Sequence, residues 1–100
     1  MYKRVDVMLS VQRALLGMIT PSIRAITIGA DKHTFTIRAI FDRTPTEADD
    51  ELLKDITSEV CADFPEFTDF KEEAVFCRTS FNELQEQFFL EAWVFVRREV

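Results

Sequence analysis

The sequence predicts an α+β fold with the element order α-β-β-α-β-β, in which two helices pack on one face of a four-stranded antiparallel sheet. Two segments carry apolar residues at helical spacing, and four others alternate apolar and polar residues as strands do. A short turn with one glycine and one aspartate joins the first two alternating segments. The chain has 100 residues, of which 47% are hydrophobic. This length suffices for one core, so we expect residues 1–100 to form a single domain.

The first half of the chain reads as a helix followed by a hairpin. The helix is predicted to begin at its cap Asp6 and to continue to about Leu16, where Gly17 supplies a left-handed residue that ends it. Strands are predicted at Ser22–Ile28 and Thr34–Asp42, because apolar and polar side chains alternate along both.

The strongest helix signal lies between Thr44 and Phe64. Thr44 is predicted to cap this helix, with Pro45 at its first position and Glu47 completing a capping box. Pro65 is expected to end it. Its apolar residues fall in one arc of the helical wheel: Leu52, Leu53, Ile56, Val60 and Phe64.

A neighbouring arc of the same helix is acidic, with a carboxylate at every fourth position. Like charges at this spacing repel by roughly a few tenths of a kcal/mol per pair, so folding gains nothing from them. Two interpretations stay open: a solvated face that keeps the protein soluble, or a binding surface for a positively charged partner. The candidate binding residues, called the acidic ridge below, are Glu47, Asp50, Glu51, Asp55 and Glu59.

The end of the chain is predicted to form a second hairpin. Its strands are expected at Phe70–Arg78 and Phe88–Arg98, with a polar loop at Ser80–Gln87 between them. Alternation along the last strand directs one set of side chains toward the helices and the core. This set comprises Phe88, Leu90, Ala92, Val94 and Val96.

The sheet face without helices is the second candidate binding surface. Trp93 and Phe95 of the last strand and Arg38 of the second strand are predicted to lie there, and aromatic and arginine side chains are frequent at interface hot spots. Either a partner or a second copy covers this patch, or a loop or terminus of the chain itself does.

Motifs for catalysis and cofactor binding are missing from the sequence. Two glycines are too few for a phosphate-binding loop or a dinucleotide fingerprint. His33, the only histidine, falls in a predicted turn with no nucleophile tied to it. Neighbouring carboxylates at Asp49 and Asp50 point about 100° apart on a helix, which prevents them from surrounding one ion. We therefore expect no enzyme activity, no catalytic residues, no metal and no cofactor.

The net charge indicates which classes of partner to expect, and the cysteines and the N-terminal segment bear on where the protein is found. The formal net charge is −6, which argues against direct binding of nucleic acid or of an anionic membrane and favours a basic protein. Cys61 and Cys77 do not form a metal-binding motif, so two free thiols are expected, with a disulfide or metal site as the alternative. The segment Met1–Met18 lacks the features of a signal peptide.

Four short runs resemble one family. They are Ala14-Leu15-Leu16-Gly17, then Thr20-Pro21-Ser22-Ile23-Arg24-Ala25, then Asp63-Phe64-Pro65, and Val96-Arg97-Arg98-Glu99 at the end. In this order they resemble small bacterial immunity proteins, the antitoxins of contact-dependent growth inhibition and related polymorphic toxin systems.

The resemblance implies a single immunity-protein-like domain in the cytoplasm that binds the C-terminal domain of a cognate toxin and blocks it. It transfers no catalytic residues and no contact site. Many toxin domains that act on nucleic acid are basic, so a nuclease-type toxin suits an acidic partner. A self-associating adaptor or structural module is the alternative function, and a homodimer is compatible with either.

Overall fold

The computed structural model describes residues 3–99, and within them the chain forms three helices and one four-stranded sheet. The elements are α1 (Arg4–Ala14), β1 (Ile23–Ala30), β2 (Thr34–Phe41), α2 (Glu47–Asp63), β3 (Asp69–Phe76), α3 (Phe81–Phe88) and β4 (Ala92–Val96). The mixed α+β class is confirmed. The predicted element order is wrong at one place, because α3 stands where a polar loop was expected.

The sheet has the strand order β3-β2-β1-β4. Strand β1 is antiparallel to both β2 and β4, but β3 runs parallel to β2. The prediction of a fully antiparallel sheet is therefore wrong. Helix α2 is the reason, since it carries the chain back along the sheet and makes β2-α2-β3 a crossover unit. Strands β3 and β4 lie at opposite edges and form no hairpin.

Helices α1 and α2 cover one face of the sheet and enclose the main core. Val7, Val11 and Ala14 of α1 are buried there, and α2 contributes its predicted apolar arc. Phe35 of β2 and Phe67 pack with their ring centroids 5.7 Å apart. This core accounts for the two long amphipathic helices that the sequence predicts.

The start of α2 is capped two residues later than predicted. Thr46 is the N-cap, and its side chain and backbone exchange hydrogen bonds with Asp49 in a capping box. Asp49 also pairs with Arg43 at 2.6 Å. The predicted capping at Thr44 with Glu47 is wrong because the ion pair makes Asp49 the better partner for a cap.

The ends of α1 also differ in part from expectation. The helix begins at Arg4 after the N-cap Lys3, so Asp6 lies inside the first turn, where its charge opposes the helix dipole. Gly17 has φ +77°. It is the predicted left-handed residue, and it lies beyond Leu15, which is the C-cap.

Helix α3 packs on part of the second face of the sheet. Ser80 caps it by accepting a hydrogen bond from Glu83 N at 3.3 Å. Leu84 is fully buried against Ala25, Ile40 and Cys77. Polar residues dominate this segment, which disguised the helical spacing of Phe81, Leu84 and Phe88 and made the loop prediction wrong.

A β-bulge in β4 reverses part of the predicted alternation. Ile26 pairs with Phe95 and Thr27 pairs with Trp93, so one step on β1 opposes two steps on β4, with Val94 as the extra residue. Phe95 consequently packs against the α1 and α2 core, and Val96, the partner of Ala25, lies on the α3 face. The predicted positions of Phe95 and Val96 are both wrong for this reason.

Candidate functional site

The acidic ridge follows the outer side of α2. Leu53, Ile56 and Val60 are buried beneath the helix, and the ridge residues occupy its exposed side. From Glu47 to Glu59 the ridge extends about 18 Å along the axis. All five side chains belong to exposed residues, and within residues 3–99 none forms an ion pair.

Asp49 is chemically distinct from its neighbours in the ridge. It is only 4% exposed, and its hydrogen bond from Arg43 is the main cause that holds its pKa below the usual value. The Arg43 guanidinium in turn lies 5.6 Å from the centroid of the Phe41 ring. Asp49 therefore stabilises the start of α2, whereas Asp50 beside it is exposed.

The second candidate surface is divided between the two faces of the sheet. Arg38 lies on the α3 face, where its guanidinium bonds Glu73 Oε1 at 2.8 Å and the Phe88 carbonyl at 2.9 Å. Trp93 lies on the same face, while Phe95 is on the other. Arg38, Trp93 and Phe95 thus do not form one continuous surface, and Arg38 is engaged in holding the end of α3.

An aromatic patch on α3 and β4 contains Trp93, which was predicted on this face, together with Phe81 of a helix that was not predicted. The Trp93 ring centroid lies 6.0 Å from that of Phe81 and 5.5 Å from that of Phe89. Phe89 is 46% exposed. A shallow pocket of about 330 Å³ is lined by Gln85, Glu86, Phe89 and Trp93. Recognising the helical spacing of α3 would have located this patch.

Two arginines and two carboxylates brace the end of the chain. Arg24 donates two hydrogen bonds of 2.7 Å to Glu99 and others to the carbonyls of Cys77 and Thr79. Arg97 donates to Asp42 at 2.8 Å and to Glu99 at 3.0 Å. The Arg24 hydrogen bonds are the main cause that lowers the pKa of Glu99 to about 2. Because Arg97 is bonded to carboxylates of the chain itself, the network stabilises the fold and leaves Arg97 less available to a partner.

Three further observations bear on the chemistry of the molecule. Cys61 and Cys77 are not joined in a disulfide bond. His33 is exposed in the hairpin turn, and its carbonyl accepts hydrogen bonds from Thr68 and Asp69 at the start of β3. Within the described part of the chain, no helix is long and apolar enough to cross a membrane.

Comparison with models of known protein families gives a match over almost the whole chain. The protein-family model described as MafI2 immunity protein matches residues 4–99, which is almost the whole chain. No curated protein matches the chain significantly.

Proposed function

Since this chain belongs to the MafI2 immunity protein family, we propose that it protects the cytoplasm by binding the C-terminal domain of a cognate, nuclease-type toxin and blocking the active or substrate-binding site. The family membership carries this proposal, and it confirms the sequence resemblance to immunity proteins of toxin systems. The acidic ridge supplies the electrostatic part of the contact.

The placement of the ridge supports this role. Its carboxylates are exposed along one continuous side of α2, whereas buried Asp49 and braced Glu99 stabilise the fold. A nuclease domain presents basic side chains where phosphates bind. A row of carboxylates about 18 Å long can occupy such a surface and compete with nucleic acid.

The net charge of −6 also favours the attraction of a basic toxin domain. Charge complementarity steers encounter, and association rates reach about 10⁸–10⁹ M⁻¹s⁻¹ at low salt for strongly complementary pairs. An immunity protein gains from rapid capture because it must neutralise the toxin before the toxin meets its substrate.

Charge reversal of the ridge tests the proposal. The triple variant Glu51→Lys, Asp55→Lys and Glu59→Lys changes two charges at each of three positions, which takes the net charge from −6 to 0. We expect association with the toxin domain encoded beside this chain's gene to slow at least about tenfold at low salt, with a flatter salt dependence. Stopped-flow mixing at several salt concentrations measures both quantities.

A matched control separates the ridge from total charge. Reversing Asp6, Asp31 and Glu66 to Lys brings the same net charge, but the altered side chains lie outside the ridge. If both triple variants slow association equally, the ridge is only a solvated face. If the wild-type chain neither binds nor inhibits the toxin domain, the proposed function itself is refuted.

The exposed aromatic patch favours a second candidate function, a self-associating adaptor or structural module. Phe89 and Val96, which are 46% and 44% exposed, lie on the α3 face with Trp93. Light scattering coupled to size-exclusion chromatography distinguishes the two functions. A dimer that Phe89→Ser converts to a folded monomer supports self-association, and a monomer at all concentrations refutes it.

A further inference from the structure

We infer that β3 is the site at which an extended segment of the toxin domain adds to the sheet as a fifth strand. This inference rests on the proposed toxin-binding function and goes beyond the electrostatic role of the ridge. The expected segment carries apolar side chains at alternate positions facing α2 and a basic side chain beside Glu72.

The backbone of β3 is available for such pairing. Within residues 3–99, β2 is its only strand neighbour. Asp69 N donates to the His33 carbonyl and Cys77 N to the Phe41 carbonyl, each at 3.0 Å. In a parallel pair, alternate residues direct both backbone polar groups to the same neighbour. The odd-numbered residues therefore bond β2, and the outward set is Phe70, Glu72, Ala74 and Phe76.

A groove beside this edge can receive the side chains of an added strand. It lies between α2 and β3, has a volume of about 400 Å³, and is lined by Lys54, Thr57, Ser58, Cys61, Phe70 and Glu72. Thr57 is only 5% exposed, and its Oγ1 is buried with no hydrogen-bond partner among the described residues. A buried hydroxyl without a partner costs stability.

The two edges of the sheet differ in how they are protected. Strand β4 is short and bulged, Gln12 of α1 donates to the Val94 carbonyl at 2.8 Å, and Arg4 pairs with Glu91 just before the strand. Bulges and covering groups prevent unwanted pairing at an edge. Strand β3 pairs with β2 over eight consecutive residues without a bulge. It is the edge that remains open to pairing.

Charge and apolar exposure indicate what binds at β3. Phe70 and Ala74 pack on the α2 side, and Phe76 at the end of the strand is 50% exposed, so they suit apolar partners. Glu73 is paired with Arg38, but Glu72 has no ion pair within residues 3–99. A basic residue opposite Glu72 is therefore favoured.

A second copy of the chain suits this edge less well. Symmetric antiparallel pairing about the middle of β3 places Glu72 or Glu73 directly beside the same residue of the other copy. Like charges facing each other across strands are destabilising, and each copy carries a net charge of −6. These repulsions favour a basic toxin segment as the occupant.

Amide hydrogen exchange measured residue by residue by NMR tests the inference directly. The probe is the toxin domain encoded beside this chain's gene, added in excess to the wild-type chain. In the free protein, we expect the amides of Glu72 and Ala74 to exchange rapidly, and those of Lys71 and Glu73 to be protected by their bonds to β2. In the complex, the outward amides should exchange at least about tenfold more slowly. Unchanged exchange at these amides in a complex that forms overturns strand addition.

A proline substitution provides an independent test. Ala74→Pro removes an amide that makes no bond to β2, and its ring projects from the free edge, where proline is tolerated. Ala74→Ser is the matched control that keeps the amide. We expect Ala74→Pro to weaken toxin affinity at least about tenfold, and Ala74→Ser to change it less than about threefold.

The outcomes distinguish this inference from the proposed function. If the wild-type chain binds the toxin and folded Ala74→Pro binds equally well, strand addition is wrong while the toxin-binding function stands. If Ala74→Pro does not fold, the exchange measurement on the wild-type complex decides alone. If the wild-type chain does not bind the toxin, the function is refuted and strand addition with it. If the chain without toxin is a dimer whose outward β3 amides are protected from exchange, and Ala74→Pro removes this protection, the edge binds a second copy. That result overturns the inference that a toxin segment binds there.

Discussion

The brace between Arg24 and Glu99 makes the stability of the chain depend on a carboxylate that lies beyond the end of β4. Arg24 is buried, and its guanidinium joins the end of β4 to the carbonyls that follow β3. We predict that Glu99→Gln lowers the free energy of unfolding at pH 7, because the neutral amide leaves the buried guanidinium without a paired charge.

The size of this effect follows from the pKa of Glu99, which falls from 4.5 to about 2 in the folded chain. At about 1.4 kcal/mol per pKa unit, the full shift corresponds to about 3 kcal/mol. The Glu99 side chain is 28% exposed, and solvent screens the pair, so we expect about 1–2 kcal/mol. For a domain of this length, that corresponds to a fall in Tm of about 5–15 °C.

The pH dependence provides the sharper assay. A depressed carboxyl pKa contributes stability above the unfolded value of about 4.5, and this contribution is lost as the pH falls through about 2. Urea unfolding of wild type and Glu99→Gln from pH 7 to pH 2 should give curves that converge between about pH 5 and pH 2. Glu86→Gln, an exposed carboxylate with no ion pair among residues 3–99, is the control. The reasoning is refuted if the difference in free energy of unfolding between wild type and Glu99→Gln stays constant with pH, or if there is no difference at pH 7.

Two further predictions concern features that were wrongly predicted from the sequence, the cap of α2 and the helix α3. Asp49→Asn should lower the free energy of unfolding by about 1–3 kcal/mol because it weakens the α2 cap and the Arg43 pair, whereas Asp50→Asn should change it by less than about 0.5 kcal/mol. Leu84→Ala should cost about 2–5 kcal/mol because Leu84 is fully buried under α3, with Gln85→Ala as a near-neutral control. Urea unfolding measures the free energy of unfolding of each variant and of its control. If Asp49→Asn and Asp50→Asn have equal effects, the assigned cap is wrong. If Leu84→Ala and Gln85→Ala have equal effects, the assigned burial of Leu84 is wrong.

The candidate surfaces differ in how far they could be predicted. The ridge is visible in the sequence because four of its five carboxylates recur every fourth residue, and α2 then places all five on its outer side. Whether it contacts a toxin stays a prediction. The β3 edge could not be foreseen, because the predicted hairpin paired β3 with β4 and left the order of the strands in the sheet open. Only the crossover through α2 moves β3 to the edge.

The second candidate surface shows where alternation fails as a guide. Arg38 and Trp93 were correctly placed on the face opposite α1 and α2, but α3 covers much of that face. The bulge at Val94 inverts the strand beyond it and sends Phe95 to the core. A period-2 pattern assumes unbroken pairing, and one inserted residue exchanges the faces of all that follow.

Local chemistry was sufficient for the features that depend on neighbours along the chain. These are the two long helices, the first hairpin, the left-handed Gly17 and the acidic side of α2, because helical spacing, turn residues and backbone sterics act over a few positions. Strand order, the parallel direction of β3, the bulge and the packing of α3 arise from contacts between residues far apart in sequence. Those contacts are chosen by burial of the whole apolar surface at once, which no short segment specifies.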